Sequence, residues 1–201
     1  MIVIEGVAEV TDLDTVLATL DAVADEYGVT VQAFDARYLV GRRHLERAVE
    51  LADRAFDRGE NVARERSVEI LLYAAGRRQI DDALEMGVRE GRTPVAVAVV
   101  VDGEEPRSSD GEAPPTPRAE RDDVPQETGH SSVTTDAVES EAAAADALHD
   151  RLVLDPAATL SSLDAERVRA FFDVTAAELD AVDGDLTDLV CERVALLDVE
   201  K

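Results

Sequence analysis

Apolar positions along the first 40 residues predict strands separated by a helix. Residues 2–10 are rich in β-branched apolar side chains, a pattern typical of a strand. The next apolar residues follow a helical spacing that ends at Gly28. They are Val16, Leu17, Leu20 and Val23. Alternation and β-branching then predict a strand over residues 29–34 and a short one over residues 37–40.

The middle of the chain changes to a helical period and ends in a buried strand. Within residues 41–59, apolar side chains recur at i, i+3, i+4, i+7 and i+11, with charged residues between them. A second helix is predicted over residues 62–75 and a third over residues 77–87, each followed or closed by a glycine. The continuous apolar run of residues 95–101 predicts a strand that is buried on both faces.

Residues 103–147 differ in composition from the rest of the chain. They contain five of the seven prolines and no Leu, Ile, Phe, Tyr or Trp, and they are rich in Ser, Thr, Asp and Glu. A segment of this kind buries too little apolar surface to offset the entropy lost on ordering it. We therefore predict a disordered acidic insertion over residues 103–147.

The C-terminal part returns to the pattern of a folded domain. A possible strand over residues 152–154 precedes a helix with a capping box that begins at Thr175. The last helix is predicted from residue 185. Its apolar stripe consists of Leu186, Leu189, Val190, Val194 and Leu197. Residues 1–102 and 148–201 are thus expected to form one α/β domain of the α+β type, a small mixed β-sheet packed with a helical bundle.

Charge narrows the classes of function that this domain can have. The chain has 45 acidic and 20 basic residues and a net charge of −25, which excludes a histone-like coat for nucleic acid and disfavours adsorption to an anionic membrane. Of the basic residues, 19 are Arg and only Lys201 is Lys. This balance is typical of proteins that work in concentrated salt, where screening removes most self-repulsion. We expect a cytoplasmic protein of an extreme halophile, since no signal-peptide pattern opens the chain.

Residues able to perform catalysis do not form a recognisable motif. The eleven glycines include no Gly-x-Gly pair, so neither a dinucleotide fingerprint nor a phosphate-binding P-loop is present in the sequence. His44, His130 and His149 are too far apart for a sequence-local zinc site, and we expect neither a metal nor a cofactor. Cys191, the single cysteine, lies on the apolar side of the last helix, as a buried structural thiol does.

Arginine is concentrated in one part of the chain. Residues 37–92 contain twelve Arg and eleven acidic residues, whereas the rest of the chain is strongly acidic. Two interpretations remain open at this point. The arginines form ion pairs with acids at helical spacing, or they form a patch that binds phosphate through planar, bidentate donors.

Three segments resemble the kinase-binding, CGI-type subunit of the KEOPS complex. They are residues 42–45 (Arg-Arg-His-Leu), residues 55–59 (Ala-Phe-Asp-Arg-Gly) and residues 68–80, where a Glu-Ile-Leu helix runs into a Gly-Arg-Arg-Gln-Ile turn. The last segment is the most specific of the three. The likeness covers most of the chain outside the acidic insertion and is greatest to archaeal members.

The resemblance implies a non-catalytic subunit of the assembly that makes threonylcarbamoyl-adenosine (t6A) in tRNA. Members of this family bind the small atypical kinase of the complex and support its ATPase activity, and archaeal members help to hold the acceptor 3′ end of tRNA. The kinase would link the chain to the threonylcarbamoyl-transferase subunit. The acidic insertion and the triplet of residues 64–66 depart from the family pattern, which leaves surface details open.

Arginines at helix starts are the candidate contacts to tRNA. Residues 42–44 open one predicted helix and residues 77–79 open another directly after Gly76, where free backbone N–H groups also favour phosphate. We predict that these two helix starts converge on the acceptor end of tRNA and that the arginines of residues 64–66 flank them. The full set is Arg42, Arg43, His44, Arg64, Arg66, Arg77, Arg78 and Gln79.

The last helix is the candidate kinase-binding surface. Its candidate residues are Leu186, Leu189, Val190, Leu196 and Leu197. The same residues are equally well interpreted as core, because one stripe of a helix must face inward. Leu196 and Leu197 are adjacent and cannot face the same way, so at least one of them is expected to be exposed or in contact with a partner.

Two other classes of function stay open from the sequence. One is a stand-alone regulatory adaptor without RNA contact. The other is a small enzyme whose site is assembled only in three dimensions. Co-purification with a kinase, or turnover by the isolated chain, separates these classes from a KEOPS subunit.

Overall fold

The computed structural model describes residues 1–101 and 132–199. Four strands and eight α-helices are assigned in these residues, together with short 3₁₀ helices at residues 36–38, 84–86 and 159–161. The strands are β1 (Ile2–Val10), β2 (Val29–Asp35), β3 (Gly91–Val101) and β4 (Leu154–Pro156). The helices are α1 (Leu13–Tyr27), α2 (Arg42–Arg58), α3 (Arg66–Ala75), α4 (Ile80–Ala83), α5 (Ser132–Arg151), α6 (Ala165–Phe171), α7 (Ala176–Ala181) and α8 (Leu186–Val199). None of the helices in the described ranges combines the length and the apolar character that a bilayer crossing requires.

The strands form one sheet in the order β2-β3-β1-β4. The register sets Gly6 opposite Val95 and Phe34 opposite Ala96, so that β3 lies between β1 and β2. The predicted α+β class, a small sheet packed with helices, is confirmed. The sheet was expected to be mixed, but every pairing among the described strands is antiparallel, because β3 inserts between β1 and β2 and runs against both.

Helices cover both faces of this sheet. Alternate residues of β3 point to opposite faces, so that Ala96 and Ala98 join the cluster under α2, α3 and α8, while Val97 and Val99 join the cluster under α1 and α5. A strand buried on both faces needs a continuous apolar run. This explains why the 95–101 segment was correctly predicted as a strand.

α2 and α3 form a pair of helices that run in opposite directions. Each helix ends at a glycine with a left-handed backbone, Gly59 after α2 and Gly76 after α3. At the end of α3, the backbone N–H of Arg77 donates to the carbonyl of Leu72 at 3.0 Å. The prediction that a helix starts at residue 77 is therefore wrong, because this cap uses the amide and α4 begins only at Ile80.

The predicted strand over residues 37–40 is also wrong. The segment forms a 3₁₀ turn instead, because the side chain of Asp35 accepts a hydrogen bond from the backbone N–H of Arg37 at 3.1 Å. Asp35 is only 2% exposed. This turn carries Arg37 and Tyr38 out of the end of β2 toward α6.

Part of the predicted insertion is a helix. The prediction of disorder is wrong for residues 132–147, which belong to α5, while residues 103–131 of the predicted insertion lie outside the described residues. Ala144 and Leu148 are fully buried against the sheet, and the Glu141 carboxylate accepts the backbone N–H of Val101 at 2.9 Å. Alanine is the best helix former and fits close to a sheet. A criterion based on large apolar residues therefore missed this helix.

Candidate functional site

The two arginine-bearing segments lie at the same end of the α2–α3 pair. The start of α2 is joined to the end of α3 by a hydrogen bond of 2.8 Å between His44 Nε2 and the carbonyl oxygen of Ala74. That carbonyl belongs to the last turn of α3, where backbone acceptors lack helical partners. The His44 side chain thus caps the end of α3 and fixes the position of residues 42–44 relative to residues 77–79.

His44 is part of the core. Its side chain is fully buried and lies edge-on against Phe172, with 5.7 Å between ring centroids. The prediction that His44 contacts tRNA is corrected here, because a fully buried imidazole cannot reach a ligand at the surface. A carbonyl only accepts, so Nε2 carries the proton, and Nδ1 has no hydrogen-bond partner among the described residues. Burial lowers the pKa of His44 from 6.5 to about 4.

Arg42 and Arg43 lie in the first turn of α2 and are more than half exposed. Arg42 donates to Glu46 at 2.9 Å and to the carbonyl oxygen of Met1 at 2.8 Å. Arg43 donates to Asp188 of α8 at 2.6 Å, and this hydrogen bond is the main cause of the lowered pKa of Asp188. Exposed ion pairs contribute little to stability, so another anion can replace either carboxylate at small cost.

Arg64 and Arg66 lie at the opposite end of α3, whose ten residues span about 15 Å. Arg64 is exposed in the loop before α3. Arg66 is only 16% exposed, donates to Asp53 at 2.7 Å and to the carbonyl oxygen of Val101 at 3.1 Å. The proposed flanking role is corrected for Arg66, because its guanidinium is used to tie α3 to α2 and β3.

Arg77, Arg78 and Gln79 form the link between α3 and α4. The Arg77 guanidinium donates to the carbonyl oxygen of Phe171 and lies over that residue's ring, 5.1 Å from the centroid. Arg78 is exposed and lies 3.5 Å from the carbonyl oxygen of Leu197, and Gln79 is exposed beside it. Arg78 thus reaches the end of α8, whereas Arg43 reaches its start. The two segments therefore spread their guanidinium groups along α8 and do not meet at one point.

Four of the five candidate kinase-contact residues are core residues. Leu186, Leu189, Val190 and Leu197 are at most 9% exposed. Their prediction as partner contacts is corrected, because this stripe of α8 packs against α2 and α3 within the main core. Leu196 is 40% exposed, so the expectation that one of the two adjacent leucines faces outward is confirmed.

A groove of about 630 Å³ runs beside the exposed side of α8. Its lining includes Arg43 and Arg47 of α2 and Cys191, Glu192 and Ala195 of α8. Cys191 is only 9% exposed, and burial raises the pKa of its thiol above the usual value. The thiol is therefore protonated at neutral pH and serves as a small apolar group.

Two further arginines lie near Phe171, the residue that Arg77 contacts, and the sequence did not single them out. Arg37 follows β2 and Arg167 lies in α6, 130 residues apart along the chain. Arg167 lies over the ring of Tyr38, with 5.4 Å from its Cζ atom to the centroid. No local pattern reveals such a pair, since only the packing of α6 against the 36–38 turn brings them together.

Arginine, which makes up the 42–43 and 77–78 segments beside α8, is enriched at interfaces with proteins and with nucleic acids. The chain matches the family model for the kinase binding protein CGI-121 over residues 7–198. It therefore belongs to the CGI-121 family of kinase-binding proteins. A search of the curated proteins finds no match.

Proposed function

We propose that this chain is a non-catalytic subunit of the KEOPS complex, which makes t6A in tRNA. In this role it binds and supports the small atypical kinase of the complex, and the kinase connects it to the threonylcarbamoyl-transferase subunit. It also helps to recruit tRNA through the acceptor 3′ end. Family membership supports the kinase-binding part of this proposal.

The observation that carries the tRNA part is the common position of residues 42–43 and 77–79 at one end of the α2–α3 pair. The bond between His44 and Ala74 holds the two segments together. Arginine offers up to five N–H donors, and the contacts described above leave donors for phosphate oxygens. A chain of net charge −25 repels RNA at long range, so binding has to come from short-range contacts of this kind.

The kinase part rests on the exposed side of α8. Leu196 is 40% exposed and follows Ala195 at the rim of the groove between α2 and α8. An isolated exposed leucine is ordinary on a protein surface, but Leu196 directly follows a residue that lines the groove between α2 and α8, where a partner has a concave surface to bind. We assign Leu196, in place of its buried neighbours, as the contact on α8.

The tRNA arm of the test measures the affinity of the full chain for a labelled tRNA transcript across a salt series. Arg43→Ala and Arg78→Ala are each expected to weaken binding and to flatten the salt dependence by about 0.7 of a unit, the value for one contact to a single strand. Arg151→Ala, on α5 at the other face of the sheet, is the matched control and is expected to have little effect. Equal effects of all three variants would indicate general charge attraction and contradict the assigned face.

The kinase arm measures capture of the kinase by the immobilised chain. Leu196→Glu is expected to reduce capture without changing the unfolding transition, because the side chain is at the surface. Leu17→Glu changes a leucine of α1 that is 45% exposed and serves as the control on the other side of the sheet. Normal capture by Leu196→Glu would remove this residue from the interface.

A further inference from the structure

Two arginines flank two aromatic rings in a row beside the proposed tRNA contacts. Arg77 lies over Phe171 at 5.1 Å, the rings of Phe171 and Tyr38 meet edge to face at 5.0 Å, and Arg167 lies over Tyr38 at 5.4 Å. The guanidinium groups at the two ends are therefore at most about 16 Å apart. The row joins three segments that are distant in sequence, namely the 36–38 turn, the link after α3 and α6.

The aromatic rings are supports for the arginines. Tyr38 is 5% exposed and Phe171 is 7% exposed, so neither ring offers a face to a base. The guanidinium-bearing side chains of Arg77 and Arg167 are 35% and 38% exposed. Each guanidinium thus presents one side to a ring and another to solvent, an arrangement that fits arginine because its charge is planar and weakly hydrated.

Arg37 lies next to the row, directly before Tyr38 in the 36–38 turn. Its Nε atom donates to Asp35 Oδ1 at 2.9 Å and lies 3.1 Å from Oδ2, and Asp35 is buried. The Arg37 side chain is 39% exposed. Arg37 and Asp164 line the same cavity of about 410 Å³, and Arg167 Nε donates to Asp164 Oδ2 at 3.1 Å, so the carboxylate of Asp164 lies near both arginines.

The contacts to aromatic rings and carboxylates hold these arginine side chains in place before a ligand binds. A guanidinium has five N–H donors in a fixed plane, and the contacts described here engage only some of them. Side chains that are already held in place lose less conformational entropy when a ligand binds. The remaining donors match the two oxygens of a phosphate, which arginine binds in a bidentate manner.

We propose that Arg37 and Arg167 continue the tRNA-binding face beyond Arg77 and bind phosphates of the same RNA strand. This inference rests on the proposed function. RNA is favoured as the occupant because the row is continuous with residues 77–79 and because its arginine side chains, each held by a ring or a carboxylate, are 35–39% exposed. The negative charge of Asp164 repels a phosphate bound at this position. Removing that charge therefore gives a second, independent test of the inference.

The first test removes charge from the row. In Arg167→Gln, alone and combined with Arg37→Gln, affinity for the labelled tRNA transcript is expected to fall about five-fold or more per residue. The salt dependence should flatten by about 0.7 of a unit for each lost contact. Arg151→Gln is the matched control, since Arg151 is 40% exposed and forms an ion pair with Glu26 of α1, on the other face of the sheet. Affinity of Arg167→Gln equal to that of the control would overturn the inference.

The second test removes the opposing carboxylate. Asp164 caps α6 by accepting the backbone N–H of Arg167 at 3.1 Å, and asparagine caps a helix equally well. Asp164→Asn is therefore expected to keep the fold and to bind tRNA more tightly than the parent chain. Glu26→Gln removes one negative charge far from the row. It measures how much tRNA affinity rises when the net charge of the chain changes by one. No gain beyond that of Glu26→Gln would contradict a phosphate at this position.

The outcomes separate this inference from the function on which it rests. If Arg78→Ala weakens tRNA binding and Arg167→Gln does not, the row is structural and the proposed function stands. If neither variant weakens binding, the tRNA-recruiting role fails as well. If Arg167→Gln instead lowers capture of the kinase while tRNA binding is unchanged, the row is a protein contact and the inference is overturned.

Discussion

Protonation of His44 should make the stability of the fold depend on pH. In the folded chain the pKa of His44 is lowered from 6.5 to about 4, because the imidazole is fully buried and a charge would be desolvated there. Between these two values the unfolded chain binds more protons than the folded chain. Stability is therefore fully present above pH 6.5 and is lost as the pH falls toward 4. The full loss is about 3 kcal/mol, since each pKa unit corresponds to about 1.4 kcal/mol.

The assay compares the parent chain with His44→Gln by urea unfolding at several pH values. The glutamine amide can still donate to the carbonyl of Ala74 but does not titrate, so a constant packing cost is expected above pH 7. At pH 5 the difference in free energy of unfolding should shift by about 2 kcal/mol in favour of His44→Gln. Other titrating groups cancel in this difference, and His149→Gln, on the surface of α5, controls for the loss of an imidazole. A difference that stays constant from pH 7.5 to 5 would refute the assignment of a buried, neutral His44.

Two buried carboxylates give further predictions about stability. Glu69 is 1% exposed and accepts the backbone N–H groups of Val62 and Ala63 at 2.9 and 2.8 Å, so Glu69→Ala is expected to cost about 1–3 kcal/mol and to speed hydrogen exchange at these two amides. Unchanged exchange would show that the loop does not depend on this carboxylate. Glu141→Ala removes the acceptor of the Val101 amide and is expected to cost a similar amount in urea unfolding, whereas Glu139→Ala, exposed on the same helix, should be neutral.

The parts of the fold that were predicted correctly are those in which one residue pattern decides the structure. α2 and α8 follow from helical apolar spacing, and the 95–101 strand follows from a run that both faces of the sheet require. The errors lie where a single contact overrides the local pattern. The Asp35 side chain turns a predicted strand into a 3₁₀ turn, and the packing of Ala144 makes a helix of a segment that lacks large apolar residues.

Predicting the site was harder because the type of a residue does not reveal whether its side chain faces solvent or the core. A run such as residues 42–44 has one chemical character in the sequence, yet the helix turns two arginines outward and buries His44. On α8, Leu196 faces solvent and Leu197 faces the core. The sequence did predict that these two adjacent leucines point in different directions. Arg167 could not be found in this way, since its relation to Tyr38 exists only after α6 packs on the 36–38 turn.

The ion pairs of the candidate face also bear on how an acidic chain can select one RNA. Arg42, Arg43 and Arg167 each have a carboxylate within 3.1 Å, so this face has little excess positive charge to attract polyanions in general. A phosphate that uses the remaining donors binds against the negative charge of those carboxylates, and it does so only where it can accept two hydrogen bonds from one guanidinium. Binding of this kind depends on the positions of successive phosphates more than on their total charge. For the proposed tRNA contact, specificity would therefore come from the rigid placement of the arginines by His44, Phe171 and Tyr38, and not from the net charge of the chain.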